Sequence, residues 1–336
     1  MRSPRPLLTG VALVAALAGG ACDLAPSLTL PQTPPSSTDM SHPVALVVEP
    51  DAGPQAVLDL VSAARTSLWM EMYLLTDARA IAALADRATA GCDVRVILEP
   101  APYQDSGANQ AAFDQLAAAG ADVRWSLPRF SFTHAKAFTI DHTRLAVLTL
   151  NLTGDGLAGN REYAAVDDDP TDVAAAEAIF AADTLGADTG APAGRLVPSP
   201  VSSRPALLAL IGGARTSLAL ETEELTDRAT VSALLDARGR GVDVTLAWPG
   251  PAAGAGTAFT MLVAAGATVR AVTAPPIHGK VVVADDRTLY LGSVNLSPTS
   301  LDDNREVGLL LSQPDAAARV AGIVVGDAAA GLPPSP

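Results

Sequence analysis

The chain has 336 residues, 49% hydrophobic and 17% charged, with a formal net charge of −14. That length and composition accommodate about two domains around a large packed core. The arginines are scattered singly with no basic run, so nothing provides long-range attraction to nucleic acid or to a strongly anionic bilayer, although a local basic cleft stays compatible.

The N-terminus reads as an export signal. Arg2 and Arg5 precede an apolar stretch from Leu7 to Leu17 that is too short to span a bilayer comfortably. Small residues then lead into Cys22. This resembles the lipobox of bacterial lipoproteins, with Gly19 where leucine is usual. The expectation is a chain exported and lipid-anchored through Cys22 to a bacterial membrane, facing periplasm or exterior; a plain signal peptide or an uncleaved anchor are the alternatives. Residues 23–43, rich in Pro, Ser and Thr, read as an extended tether containing His42. No second long apolar run follows, so no polytopic membrane protein is expected. Cys92 has Val242 at its repeat position and reads as a small buried hydrophobe.

Beyond the tether, residues 54–64 carry Val57, Leu60, Val61 and Ala64 at helical spacing. Ser67 to Leu74 reads as a buried strand, Asp77 caps a helix through Ala88, and Gly91 ends it. Val94 to Leu98 is the next strand. A helix from Asn109 to Ala119 then precedes a strand from Asp122 to Trp125. This alternation predicts an α/β protein with a helix-flanked sheet in each half.

The chain is written twice. Residues 64–77 recur at 214–227, and residues 118–124 at 264–270. From His134 to Glu162 the repeat runs without insertion at an offset of 144, with ten of 29 positions identical and seven of those polar. A core alone would keep apolar residues, so chemistry or buried polar bonding is being kept. The expected organisation is a first repeat at 44–185, a linker at 186–200 and a second repeat at 201–331. The two repeats would pair as an internal pseudo-dimer within a monomer, their matching motifs facing each other.

Only two lysines exist among 22 basic residues. They stand two residues after a histidine in each repeat, as His134-Ala-Lys136 and His278-Gly-Lys280. Lysine is a compact point charge and arginine a planar fork, so its retention here signals a need for the former. His and Lys at i and i+2 on a strand share a face. Asp285 to Thr288 is turn-forming. A hairpin folded about residues 286 and 287 sets His278 opposite Asn295 and Lys280 opposite Ser293. The same fold sets His134 opposite Asn151 and Lys136 opposite Thr149. Each half then offers an imidazole, an ammonium, an amide and a hydroxyl.

That set suits phosphodiester chemistry. One imidazole attacks phosphorus and the other moves the proton, while lysines and amides stabilise charge on the oxygens. Glu162 and Glu306 can each orient a histidine through its other ring nitrogen. No cluster has metal-ligand spacing, and neither metal nor cofactor is expected. His142 reads as a solvated turn residue. Glu71 and Glu221, matched at strand ends, are open between structural bonding and a site role.

The pattern His-x-Lys-(x4)-Asp followed by Gly-Ser-x-Asn resembles the duplicated signature of the phospholipase D superfamily. The second copy matches in full at His278, Lys280, Asp285, Gly292, Ser293 and Asn295. The first has His134, Lys136, Asp141 and Asn151, with Leu148 and Thr149 in place of Gly-Ser. The resemblance covers about residues 44–330. It implies two α/β halves sharing one active site and a phosphohistidine mechanism, with His134 as nucleophile and His278 as acid. It also implies that Asp141 and Asp285 stand away from the phosphate.

The expected activity is head-group hydrolysis or transfer on a phospholipid substrate reached through the lipid anchor. The alternatives are a secreted endonuclease of the same superfamily, cardiolipin-synthase-like transfer, and a catalytically silent module that binds lipid or a partner. Trp125, Phe130 and Phe132 could stack on bases, dock acyl chains or fill the core. Glu223 and Glu224, where the first half has Tyr73 and Leu74, add negative charge near the cleft.

Overall fold

The first half alternates helix and strand. In chain order it comprises β1 (Ala45–Glu49), α1 (Gln55–Ser62), β2 (Ser67–Met72), α2 (Ala78–Thr89), β3 (Asp93–Leu98), α3 (Gln110–Ala118) and β4 (Asp122–Trp125). Then come β5 (Lys136–Ile140), β6 (Arg144–Leu148), α4 (Gly154–Ala158), β7 (Glu162–Asp167) and α5 (Pro170–Leu185). The second half repeats the plan with α6 (Ser203–Gly213), β8 (Ser217–Glu221), α7 (Arg228–Gly239), β9 (Asp243–Trp248), α8 (Thr257–Ala264) and β10 (Thr268–Ala271). It closes with β11 (Val281–Ala284), β12 (Thr288–Gly292), a π-helical turn (Thr299–Asp303), β13 (Gly308–Leu311) and α9 (Pro314–Ala330). This computed structural model describes residues 42–250 and 256–333. Cys22, the signal-like segment and nearly all of the tether lie outside the described residues.

The strands form two mixed sheets, ordered β1-β7-β6-β5-β2-β3-β4 and β10-β9-β8-β11-β12-β13. In each, parallel pairs (β2 with β3, β8 with β9) adjoin antiparallel hairpins (β5 with β6, β11 with β12). Matching caps start matching helices: the Asp77 carboxylate accepts from the N–H groups of Arg79 and Ala80, and that of Asp227 from Thr230. An N-cap of this kind contributes about 1 kcal/mol.

Three apolar clusters organise the layers. Val57, Leu58 and Val61 of α1 pack with Leu84 of α2 on one face of the first sheet. Leu207, Leu234 and Leu262 of α6, α7 and α8 cover the corresponding face of the second. Between the sheets lies a shared core holding Val147 and Ala165 from one half and Val283, Leu291 and Leu309 from the other, with Ile179 of α5 and Val320 of α9. Cys92 is buried in the first of these clusters.

The stretch between the halves has a place beside the second sheet, and one expectation needs correcting. Leu196 and Ser199, inside the stretch read as linker, bridge Leu309 and Glu306 antiparallel. They stand where Ala45–Glu49 stands in the first half, against β7.

The hairpin register is one residue off the expected one. Ala284 pairs with Thr288 and Ile140 with Arg144, so three residues form each loop instead of two. The two central turn residues are left-handed in both copies (Asp141 φ 54°, His142 φ 55°, Asp285 φ 56°, Asp286 φ 54°). Aspartate tolerates that region better than most residues. Lys280 therefore lies opposite Gly292, whose N–H donates to the Lys280 carbonyl at 3.3 Å, and not opposite Ser293.

Candidate active site

Each histidine is held by the opposite half. The backbone N–H of His134 donates to the Arg305 carbonyl at 2.8 Å, and that of His278 to the Arg161 carbonyl at 3.2 Å. The imidazoles cross in the same way. His134 Nδ1 lies 2.8 Å from Glu306 Oε2, and His278 Nδ1 lies 2.5 Å from Glu162 Oε1, the second contact being close but outside hydrogen-bond alignment. Both glutamates are fully buried. The triplet Asn-Arg-Glu is thus a clamp: its arginine carbonyl fixes the partner histidine's backbone and its glutamate the ring.

The arginine side chains extend the clamp behind the site. Arg305 of the second half pairs with Asp183 of α5, and Arg161 of the first half with Asp327 of α9. Glu71 is buried near Arg305 and Asp183, and Glu221 near Tyr163, Arg161 and Asp327. Burial pushes both carboxyls well above the usual range, with Asp183 and Asp327 adding to it. Both stand beside these ion pairs, and their carboxylate oxygens have no hydrogen-bond partner among the described residues.

The hydroxyls support the glutamates. Thr149 Oγ1 donates to Glu162 Oε2 at 2.6 Å and accepts from the Tyr163 N–H at 2.9 Å. Ser293 Oγ accepts from the Val307 N–H at 3.0 Å and helps to hold Glu306 ionised. Ser300 and Asn304 also donate to Glu306, at 2.8 and 3.0 Å. The expectation of hydroxyls on the histidine–lysine surface is corrected here: the register difference turns them toward Glu162 and Glu306.

Lys136 and Lys280 are buried, and each donates to its own histidine's carbonyl, at 2.8 and 2.7 Å. Burial brings the Lys136 ammonium down to about 7, Glu306 opposing the shift and Lys280 adding to it. Burial likewise lowers His134, with Glu306 opposing and Lys136 adding. Burial works to raise Glu306, but the His134 imidazole hydrogen-bonded to it and the Lys136 ammonium hold it below the usual carboxylate range. His134 therefore favours the neutral ring, with Nδ1–H on Glu306 and the Nε2 lone pair available.

Asn151 and Asn295 are both buried, and their Oδ1 atoms have no partner among the described residues. They stand beside Leu152 and Leu296, whose N–H groups donate to the carbonyls of Leu74 and Glu224 next to Tyr73 and Glu223. An unpaired buried polar atom costs about 1–3 kcal/mol, and its persistence marks a place where a ligand can complete the bonding.

The motif aspartates lie at the other end of β5 and β11. The Asp141 carboxylate accepts from Arg65 N, Thr66 N, Thr66 Oγ1 and Ser67 N, and Asp285 repeats this with Arg215, Thr216 and Ser217. Each ties its hairpin turn to the start of the neighbouring strand. Burial works to raise Asp141, but these donors win and hold it at about 2. His142 meets Glu177 and the edge of Trp69, and His42 meets Asp168, so neither joins the site.

Gly292 is a packing residue. A Cβ there would lie 2.4 Å from Gly308 Cα and 2.8 Å from the Tyr290 hydroxyl. The first half has Ala146, Leu148 and Ala164 where the second has Tyr290, Gly292 and Gly308. One large side chain is carried at a different position, which accounts for Leu148 in the motif. Trp125 stacks on Phe113, Phe130 lies under Arg305, and Phe132 meets Tyr73 edge-on.

Two helix-flanked sheets that exchange glutamates across a pseudo-twofold to hold a His–Lys pair from each define the phospholipase D-like class. The family model described as cardiolipin synthase, PLD-like domain, matches residues 57–184 and 207–324, and the chain belongs to that family. No curated protein matches the sequence. Among solved structures, phosphatidylserine synthase of Haemophilus influenzae Rd KW20 is similar over 85% of both chains, at 12% identity and TM-score 0.63. Polyphosphate kinase of Porphyromonas gingivalis is similar over 84% of this chain, at 16% identity and TM-score 0.66. This chain spans 50% of that kinase. These likenesses concern the fold.

His134, His278, Glu162, Glu306, Lys136 and Lys280, all within the repeated motif, converge. Arg161 and Arg305 join them as positioning residues, and their one signal in the sequence is the repeated Asn-Arg-Glu triplet.

Proposed function

We propose that the protein is a phospholipase D-type phosphodiesterase that hydrolyses or transfers phospholipid head groups through a phosphohistidine, without a metal. The reading is carried by the crossed pairs His134–Glu306 and His278–Glu162, which bring one imidazole from each half under the control of the other. His134 Nε2 forms the bond to phosphorus as the leaving alkoxide takes a proton from His278. His278 then removes a proton from water or an alcohol, whose oxygen displaces His134. Lys136, Lys280 and the two asparagine amides balance charge on the non-bridging oxygens. Glu306 stabilises the positive charge that His134 acquires.

The lipid substrate is supported by the family match to a cardiolipin synthase-type domain and by the acidic composition, which disfavours a polyanion. Anchoring through Cys22 and export are part of the same proposal, since an anchor raises the local concentration of bilayer substrate. No described helix is long and apolar enough to cross a membrane.

The test is turnover of mixed phosphatidylcholine, phosphatidylethanolamine and phosphatidylglycerol vesicles beside single- and double-stranded DNA, with His134→Ala and His278→Ala as controls. Phosphatidate or a transferred phosphatidyl product, lost in both variants, supports the proposal. Cleaved DNA with untouched lipid replaces it by the nuclease reading.

A further inference from the structure

The two halves differ sharply in charge at one pair of equivalent positions, Tyr73 and Glu223. The Tyr73 ring stands 4.4 Å from the His134 ring and 5.0 Å from Lys136 Nζ, an aromatic wall without an anion. Glu223 Oε2 lies 2.5 Å from Lys280 Nζ and 3.3 Å from His278 Nε2. One ammonium and one imidazole nitrogen are also what a phosphate oxygen would require here. The Glu223 side chain is 30% exposed while Lys280 is closed off, so the carboxylate covers the lysine from the solvent side. Burial works to raise Glu223, but His278, Lys280 and His134 hold it ionised, down to about 2.

We propose that Glu223 is a charge gate: its carboxylate holds the place of a phosphate oxygen between His278 and Lys280 and makes the site discriminate against dianionic phosphate monoesters. A phosphodiester carries one negative charge and must displace a single like charge. A monoester or free phosphate carries two and is repelled about twice as strongly at the same distance. The product of diester hydrolysis is a monoester, so the gate favours its departure. Glu224, the exposed neighbour, faces neither histidine nor lysine and supplies a control.

The inference rests on the phosphodiester reading of the site, but its test does not depend on which diester is the substrate. Inorganic phosphate and dimethyl phosphate are titrated calorimetrically into the full chain in detergent, at a pH above the second ionisation of phosphate. The proteins are the natural sequence, Glu223→Gln, Glu223→Ala and Glu224→Gln. The expected result is phosphate binding tightened about tenfold or more by either change at Glu223, a smaller gain for dimethyl phosphate, and no change from Glu224→Gln. Unchanged or weaker phosphate binding in both Glu223 variants overturns the proposal. So does an equal gain for the two anions, or the same gain from Glu224→Gln. Loss of cooperative melting in both Glu223 variants would make the residue a structural counter-ion of Lys280 and would also overturn it. Failure of the lipid reading appears separately, in the vesicle assay.

Discussion

The Glu306 carboxylate, from the second half, holds Nδ1 of His134, from the first, at 2.8 Å. Glu306 is fully buried and receives Ser300 and Asn304 as well, so the ring it orients has one tautomer and one direction.

Glu306→Gln keeps the shape and removes the charge. A loss of about 10²–10⁴ in kcat is expected, the range for a carboxylate that fixes a catalytic imidazole. The pH profile of kcat/KM moves as well. Glu306 raises both His134 and Lys136, against the lowering effect of burial. Activity needs His134 neutral, Lys136 charged and a proton on His278, so the acid limb follows His134, and loss of the Lys136 charge at about 7 contributes to the basic limb. Removing Glu306 shifts both limbs toward acid, whereas a general loss of structure would leave the limbs in place and lower the height.

Arg305→Met leaves Asp183 buried without its partner, and a loss of about 3–5 kcal/mol is expected in denaturant unfolding. Arg305→Met with Asp183→Leu removes both charges and recovers part of that loss. Activity stays low in the double variant if the arginine side chain is needed to hold the Arg305 carbonyl against His134.

Asp141→Asn keeps the left-handed turn and removes the charge that four donors share. It should cost about 2 kcal/mol of stability near neutral pH with little change in kcat. The Asp141 carboxyl sits at about 2 when folded. Its contribution is therefore complete above the ordinary aspartate value of about 3.9 and fades as the pH falls through the depressed one. Natural protein and variant should converge in urea unfolding at the acid end.

Gly292→Leu alone drives a side chain into Gly308 and Tyr290 and should destabilise by about 1–3 kcal/mol or more. Adding Tyr290→Ala and Gly308→Ala copies the first half's Ala146, Leu148 and Ala164. Thermal melting should show the triple variant regaining stability over Gly292→Leu.

The repeat, the α/β alternation and the His–Lys pairs were legible because they are periodic or identical in sequence. Asp77 read as a cap from the aspartate that precedes a helical run, and the repeat carries the same residue type to Asp227. The register of the hairpins was not, because one extra residue in a turn moves every later partner by one place. Thr149 and Ser293 consequently turn to the buried glutamates. Arg161 and Arg305 were hidden for a different reason. Their role is to reach across to α5 and α9, and no local pattern encodes a contact between halves. Gly292 showed as a motif residue, but its cause, Tyr290 packed against Gly308, appears only when the two strands are paired.

The most direct test of the shared site is covalent trapping. The chain is mixed with an activated phosphodiester such as bis(p-nitrophenyl) phosphate, quenched with base, and mapped by mass spectrometry. The account predicts an acid-labile phosphoryl adduct on His134, with release of p-nitrophenol that is abolished in His134→Ala. Turnover that persists in His134→Ala, or an adduct confined to another residue, would contradict it.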